Sequence, residues 1–431
     1  MSDHPKPDPS SIDDLSEQLT QAGLDNDAAL VRRNQTEPGK VDLKLAPVPV
    51  KHLGIVGCGL MGRSITALAL GQKISITMVD VAQSALDLAR ETFANDDRVT
   101  ITDQYDQLAT ADLIIEAVVE TLPVKKTVHE RIESAAGPDA TIASNTSSIP
   151  LASMENHFRS PERFCGIHFC HPEVMSLVEV IAGPSTSAQT TANAVGFVRQ
   201  LEKMPIAIDD GAGFVVNRLL SAMLNQSLRL LSQGVAVAEI DAAMRQFGFK
   251  AGPFEIIDII GADTCMYAGR TMWEHKLECV SLSPILPRLV KHGRLGRKAG
   301  AGFYSYPDPR GEALVDPELQ PLLDPYQDTS GVADTGGASD LSRQILAPVV
   351  LEATRILEQG IVHDFRDIDL AFTHGLSFPQ RRGGLLYWAD QVGVAELVAM
   401  LDKRSAGDPS LKPTALMVSM AGGGGQSFYQ R

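Results

Sequence analysis

The stretch LGIVGCGLMGRSI sets three glycines, Gly57, Gly59 and Gly62, in the spacing G-x-G-x-x-G. It follows a short apolar run, HLGIV, and opens a run of helical periodicity, MGRSITALALGQ. A strand joined to a helix through such a turn narrows the choice of fold sharply. The first glycine permits a tight turn. The second lets an anion approach the backbone, and the third lets the helix pack close to its strand. The helix N-terminus then presents unsatisfied N–H groups to a phosphate. Glycine turns without a ligand share this spacing, so the context decides. A second β-rich run, ISITMVD, ends at Asp80. That is roughly 20 residues beyond the turn, where a carboxylate accepts both hydroxyls of an adenosine ribose and repels a 2′-phosphate. The reading is therefore NAD rather than NADP.

From Lys51 the β-rich runs HLGIVG, ISITMVD, RVTIT, ADLIIEAVV and ATIAS alternate with helix-length segments such as VKKTVHERIESAA. Near-continuous apolar strands separated by helices predict an α/β, Rossmann-type, doubly wound parallel sheet over residues 51–208. RFCGIHF, SLVEVIAG and MPIAIDD extend or close it. Residues 1–50 are rich in Pro, Asp and Gln and predict a disordered tail.

Beyond residue 208 the periodicity turns helical, as in GFVVNRLLSAMLNQSLRLLSQG. Residues 227–261 resemble residues 353–393. Each copy has a helix ending at glycine (Gly234, Gly360), an Ile-Asp pair, a turn with proline (Pro253, Pro379) and an apolar helix. One copy alone would leave an apolar face exposed, and two can pack together. The expectation is a duplicated all-α domain, with a first helical part at 209–306, a Pro- and Gly-rich linker at 307–338 and a second repeat at 339–431.

The formal net charge of −15 argues against a broad nucleic-acid-binding face. No run approaches the roughly 18 apolar residues of a membrane helix. The N-terminus shows no basic-then-apolar signal peptide. Five cysteines, an odd count without disulfide-like spacing, fit reduced thiols and a cytoplasmic protein.

Two segments carry chemistry. In EAVVETLPVKK, Glu120 and Lys125 either flank a nicotinamide ribose or form a charge pair on a solvated helix start. GIHFCHPEVMSLVEVIAG sets His168, Cys170, His171 and Glu179 among apolar residues, which reads as a proton-transfer site, a metal site or a polar patch in a buried sheet. An imidazole transfers protons near neutrality, and a carboxylate on the next strand, where a contact is plausible, fixes its tautomer. Cys165, His168, Cys170 and His171 raise a metal site as an alternative. On a regular strand His168 and Cys170 share one face while Cys165 and His171 share the other, so the four do not converge and no metal is expected.

Taken in order, GCGLMG, EAVVE…VKK, SNTS, GIHFCHP, LVEVI, GFVVNR and GRKAGAGFYSY resemble the L-3-hydroxyacyl-CoA dehydrogenases. The likeness runs from about Lys51 to Gly393. The duplicated helical part is similar to the dehydrogenase part of multifunctional fatty-acid oxidation proteins. Those also carry an N-terminal hydratase domain, for which residues 1–50 are too few. The resemblance implies NAD-dependent interconversion of L-3-hydroxyacyl-CoA and 3-oxoacyl-CoA. It implies His168 as general base, Glu179 as its partner, and Ser147 and Asn217 as donors to the substrate oxygen. The implied cofactor contacts are Gly57, Gly59, Leu60, Met61, Gly62, Asp80, Val118, Glu120, Lys125, Ser147 and His171. The partner is an acyl-CoA, and the protein is a monomer or homodimer.

The chain departs from the family in several places. It reads HFCHP where the family reads HFFNP, which puts His171 in place of an asparagine. Arg63 follows the third glycine, where a small residue is usual, and either reaches the phosphates or points to solvent. Ala212 stands where proline is common. The segment from His168 to Glu179 is one residue shorter than usual, and one residue on a strand reverses the face a side chain occupies. The shortened segment and His171 motivate a second reading, a catalytically weakened paralogue that binds NAD or acyl-CoA as a scaffold or sensor. A third reading is a dehydrogenase of a non-CoA 3-hydroxy acid.

Overall fold

The computed structural model describes residues 45–308, 310–328, 337–422 and 427–429. Most of the expected tail, residues 1–44, lies outside the described residues, as do 309 and 329–336 of the expected linker.

Eight strands form one sheet: β1 (His52–Val56), β2 (Ser75–Val79), β3 (Val99–Thr102), β4 (Leu113–Glu116), β5 (Thr141–Ser144), β6 (Phe164–Phe169), β7 (Leu177–Ala182) and β8 (Met204–Asp209). Their order is β3-β2-β1-β4-β5-β6-β7-β8. The first six run parallel. β7 runs antiparallel to β6, and β8 is parallel to β7. Helices α1 (Leu60–Gly71), α2 (Gln83–Thr92), α3 (Leu122–Ala135) and α4 (Ala188–Gln200) accompany the sheet. Leu53, Ile55, Ile76, Met78, Ile114, Ile115 and Ile142 are all buried, as strands covered on both faces require. This is the expected Rossmann-type architecture. The chain winds outward from β1 to β3 and then returns to place β4 on the other side of β1. The crevice outside the carboxyl ends of β1 and β4 is thus the switch point where ligands of such sheets bind.

The remaining helices are α5 (Val216–Ser232), α6 (Val237–Phe247), α7 (Pro253–Ile260), α8 (Ala262–Glu274), α9 (Ile285–Lys291), α10 (Gln320–Leu323), α11 (Ala338–Glu358), α12 (Phe365–Leu376), α13 (Leu385–Val392), α14 (Val394–Ser405) and α15 (Ala415–Gly422). The chain divides into two compact units. The α/β unit runs to Phe214 and also takes in Gly360–Gly375, most of α12. Within it, Ile361 O accepts from Asp209 N–H at 2.9 Å, and Ser176 Oγ lies 3.2 Å from His374 Nδ1.

In the helical unit α11 packs along α5 and α6. Arg218 on α5 is buried and donates through Nε to Glu352 Oε1 on α11 at 2.6 Å. The Ile-Asp pair of the first repeat has a clear task there. Asp241 accepts from the N–H groups of Phe254 and Glu255 at 3.0 and 3.2 Å, which caps the start of α7. Among the described residues no helix is long and apolar enough to cross a membrane.

Candidate active site

The glycine turn lies between β1 and α1. Gly57 has φ +112°, and a Cβ there would meet Ala117 O at 2.6 Å. A Cβ on Gly62 would stand 1.9 Å from Gly57 O, so helix and strand approach as closely as a hydrogen side chain permits. Gly59 differs from both, because a Cβ there would meet nothing within 4 Å. Two glycines serve the fold, and the third opens onto space where a ligand can reach the backbone. Leu60 is exposed and Met61 half-buried in the first turn of α1. Asp80 follows β2 and braces the turn. Its Oδ2 accepts from Cys58 N–H at 2.7 Å and its Oδ1 from Ala82 N–H at 2.9 Å. The Arg63 guanidinium folds back onto the turn and donates to Cys58 O at 2.7 Å.

At the end of β4 the chain buries a charge. Glu116 is fully buried at the last position of that strand, and Lys125 on α3 is only 1% exposed. Lys125 Nζ lies 2.9 and 3.1 Å from the two oxygens of Glu116 and 3.1 Å from Glu120 Oε2. Glu116 also accepts from Ser144 Oγ at 2.7 Å and Val118 N–H at 2.8 Å, and contacts His129 Nε2 at 3.2 Å. Burial alone would raise the Glu116 carboxyl, but His129 and the Lys125 ammonium outweigh it and hold it at about 2. Burial likewise opposes the charge on Lys125, yet Glu116 and Glu120 raise its pKa.

Glu120 carries this anchor to the next loop. Its Oε1 accepts from Thr146 Oγ1 at 2.6 Å, Ser147 N–H at 2.9 Å and Ser148 N–H at 3.2 Å. Partial desolvation opposes its charge, yet Lys125 and these donors hold its carboxyl below the usual range. Lys125 is therefore not part of a solvated helix start. It pairs from the interior with the more exposed Glu120, and the pair fixes the loop bearing Ser147.

His168 and Glu179 face each other across β6 and β7 as register partners. His168 Nδ1 is 2.7 Å from Glu179 Oε2, and both side chains are buried. The shortened segment does not reverse their faces, because the loop between the strands, residues 170–176, takes up the difference. A carboxylate only accepts, so the neutral imidazole carries its proton on Nδ1 and leaves Nε2 as an acceptor. Phe214 packs its ring 5.8 Å from that of His168, from a left-handed backbone conformation at φ +51° that bulky residues rarely adopt. Asn145 Oδ1 accepts from Phe169 N–H at 3.1 Å and ties the loop after β5 to the end of β6.

His171 is exposed beyond the strand end, and its carbonyl accepts from Val174 and Met175 N–H at 3.2 and 2.9 Å. Asn217 is the second residue of α5, half-buried in the helical unit. The α/β unit thus sets Gly57, Asp80, Val118, Glu120, Ser147 and His168 at or just past the carboxyl ends of its parallel strands, with Lys125 behind Glu120 and Glu179 beside His168. Residue reading overlooked Glu116, His129, Ser144 and Thr146. Only Glu116 left a visible signal, as the one charged residue of LIIE.

Comparisons with known proteins bear on this arrangement. Residues 52–211 match the family model described as 3-hydroxyacyl-CoA dehydrogenase, NAD binding domain, and residues 213–306 match the corresponding C-terminal domain. The fatty acid oxidation complex subunit alpha of Pseudomonas aeruginosa is 33% identical over 408 residues, 88% of this chain and 56% of that protein. The chain thus spans about half the length of the curated relatives it matches. The (S)-3-hydroxybutyryl-CoA dehydrogenase from Ralstonia eutropha is 32% identical with a TM-score of 0.57, covering 60% of this chain and 99% of that one. The dehydrogenase part of multifunctional enzyme 1 from C. elegans is 26% identical with a TM-score of 0.64, covering 89% of this chain and 92% of that one.

Proposed function

The chain belongs to the 3-hydroxyacyl-CoA dehydrogenase family, and on that premise we propose that it interconverts L-3-hydroxyacyl-CoA and 3-oxoacyl-CoA with NAD, in β-oxidation-type metabolism. The observation that carries the proposal is the buried His168–Glu179 pair. The residues at the switch point fit the cofactor. Gly59 leaves its backbone approachable, and Asp80 sets a carboxylate at the end of β2, where a ribose is read. NAD, when bound, takes the hydride from the alcohol carbon.

His168 Nε2 removes the hydroxyl proton as the C–H bond breaks. Glu179 holds the tautomer beforehand and stabilises the imidazolium afterwards. In the reverse direction the imidazolium returns that proton to the forming alcohol. Ser147 and Asn217 are proposed as neutral donors to the substrate oxygen. Ser147 suits this because Glu120 pins its backbone N–H. Leu60, Met61, Gly62, Val118, Lys125 and His171 are proposed to line or support the cofactor site, Lys125 by holding Glu120 in place. The proposal also takes the protein to act in the cytoplasm as a monomer or homodimer, with the second helical repeat structural.

A weakened binding paralogue is motivated by the shortened His168–Glu179 segment and by His171; the in-register pair removes the first of these motives and supports activity instead. The test is oxidation of L-3-hydroxybutyryl-CoA with NAD, beside the free acid. Turnover of the thioester alone supports the proposal. Turnover of the free acid alone moves the assignment to a non-CoA substrate, and NAD binding without turnover of either returns it to the paralogue.

A further inference from the structure

We propose that His168, Cys170 and Glu179 form a capture site for a thiophilic divalent cation, zinc above all, whose binding switches off the His168–Glu179 pair. The loss of activity rests on the function proposed above, whereas the binding does not. One ligand-capable atom from each of the three residues lies within 4.8 Å of the others. The fold brings them there for simple reasons. His168 and Cys170 are two apart on an extended segment and share a face, and Glu179 is the cross-strand partner of His168.

The four residues weighed from sequence do not include Glu179, and the register adds it. Cys165 is buried on β6, three residues before His168, and His171 is exposed past the strand end, so the site has three ligands. Imidazole, thiolate and carboxylate are the donors zinc takes, at about 2.0 to 2.3 Å, and three protein ligands leave a fourth position open. Seating a cation among the three breaks the His168 Nδ1–Glu179 hydrogen bond and turns both atoms to the metal. Cys170 is half-buried at the strand end. It stands where the family motif has phenylalanine, so the oxidoreduction does not require the thiol.

Capture forms a Zn–S bond as the S–H bond breaks, and the thiol proton leaves to solvent. The metal stays divalent, so no oxidant is involved. Zinc shared by His168 and Glu179 takes Nδ1, so the bond to Glu179 breaks and the ring proton moves to Nε2. No acceptor is then left for a substrate proton.

The test uses the full chain, stripped with chelator, as wild type, Cys170→Ala and Cys170→Phe. Zinc binding is followed by calorimetry, and cobalt substitution by the near-ultraviolet sulfur-to-cobalt charge-transfer band. Wild type is expected to bind one zinc per chain, to show the band, and to lose NADH-linked turnover with the same midpoint, recovering on chelation. Both variants are expected to turn over in the absence of metal, to lack the band and to bind zinc at least tenfold more weakly. Equal zinc affinity in wild type and Cys170→Ala, or cobalt binding without the band, overturns the proposal. Should the wild type fail to turn over its acyl-CoA, the functional reading falls, while calorimetry and the band still decide the metal site.

Discussion

His168 and Glu179 stand opposite one another on antiparallel strands, with Nδ1 2.7 Å from Oε2 and neither side chain open to bulk water. Removing the charge while keeping the shape isolates what the carboxylate does. In Glu179→Gln an amide can offer Nδ1 a donor, which favours the wrong tautomer. We expect kcat to fall by about 10² to 10⁴, the range for a lost or misoriented general base. The Kd for NAD, measured by calorimetry, should hold within about twofold, since one lost hydrogen-bond partner remote from the cofactor leaves binding nearly unchanged. An undiminished kcat means that the pair is only structural.

Lys125 neutralises Glu116 inside the protein. Lys125→Met leaves a buried carboxylate without its cation, and breaking such a pair costs roughly 3–5 kcal/mol. Urea unfolding of the single and of the double variant Glu116→Gln/Lys125→Met measures the coupling. The double variant should be more stable than Lys125→Met alone, and simple additivity would show the pair to be energetically inert.

Glu116 has a folded-state pKa of about 2 against an ordinary 4.5. Because the folded value is depressed, the stabilisation is fully present above pH 4.5 and is lost as the pH falls through about 2. The span corresponds to roughly 3 kcal/mol as an upper bound. The stability gap between wild type and Glu116→Gln, from urea midpoints, should therefore be largest near neutrality and shrink steadily on acidification through that window. A gap that is flat with pH contradicts this.

Asp80 braces Cys58 and Ala82, and the proposed function gives it a second task, repelling a 2′-phosphate at the adenosine ribose. Asp80→Asn keeps an acceptor for one of the two N–H groups while removing the charge. The ratio of kcat/KM for NADPH over NADH should rise about tenfold, equivalent to roughly 1.4 kcal/mol. An unchanged ratio removes Asp80 from cofactor discrimination.

The architecture was legible because its signals are local. Apolar runs of strand length, helical periods between them and the spacing of Gly57, Gly59 and Gly62 need no partner to be read. The identity of His168 and Glu179 was legible too, but their contact was not. Whether the missing residue fell on a strand or in residues 170–176 is a matter of register, and only the pairing of β6 with β7 settles it. Lys125 shows the same limit. A lysine early in a helix reads as solvated, and its burial depends on Glu116, Ser144 and His129, which come from three separate elements. The proximity of Cys170 to Glu179 was not legible either, since strand alternation counts faces along one strand and does not see across to the next.

The most direct measurement of the central claim is NADH consumption by the purified chain with acetoacetyl-CoA, run side by side for wild type and His168→Gln. Steady loss of NADH absorbance in the wild type, reduced at least 100-fold in a His168→Gln protein that still binds NADH, is the outcome expected when a general base is removed. Equal rates for the two proteins, or a wild type that binds NADH and leaves acetoacetyl-CoA untouched, would contradict a proton-transfer role for His168 and Glu179.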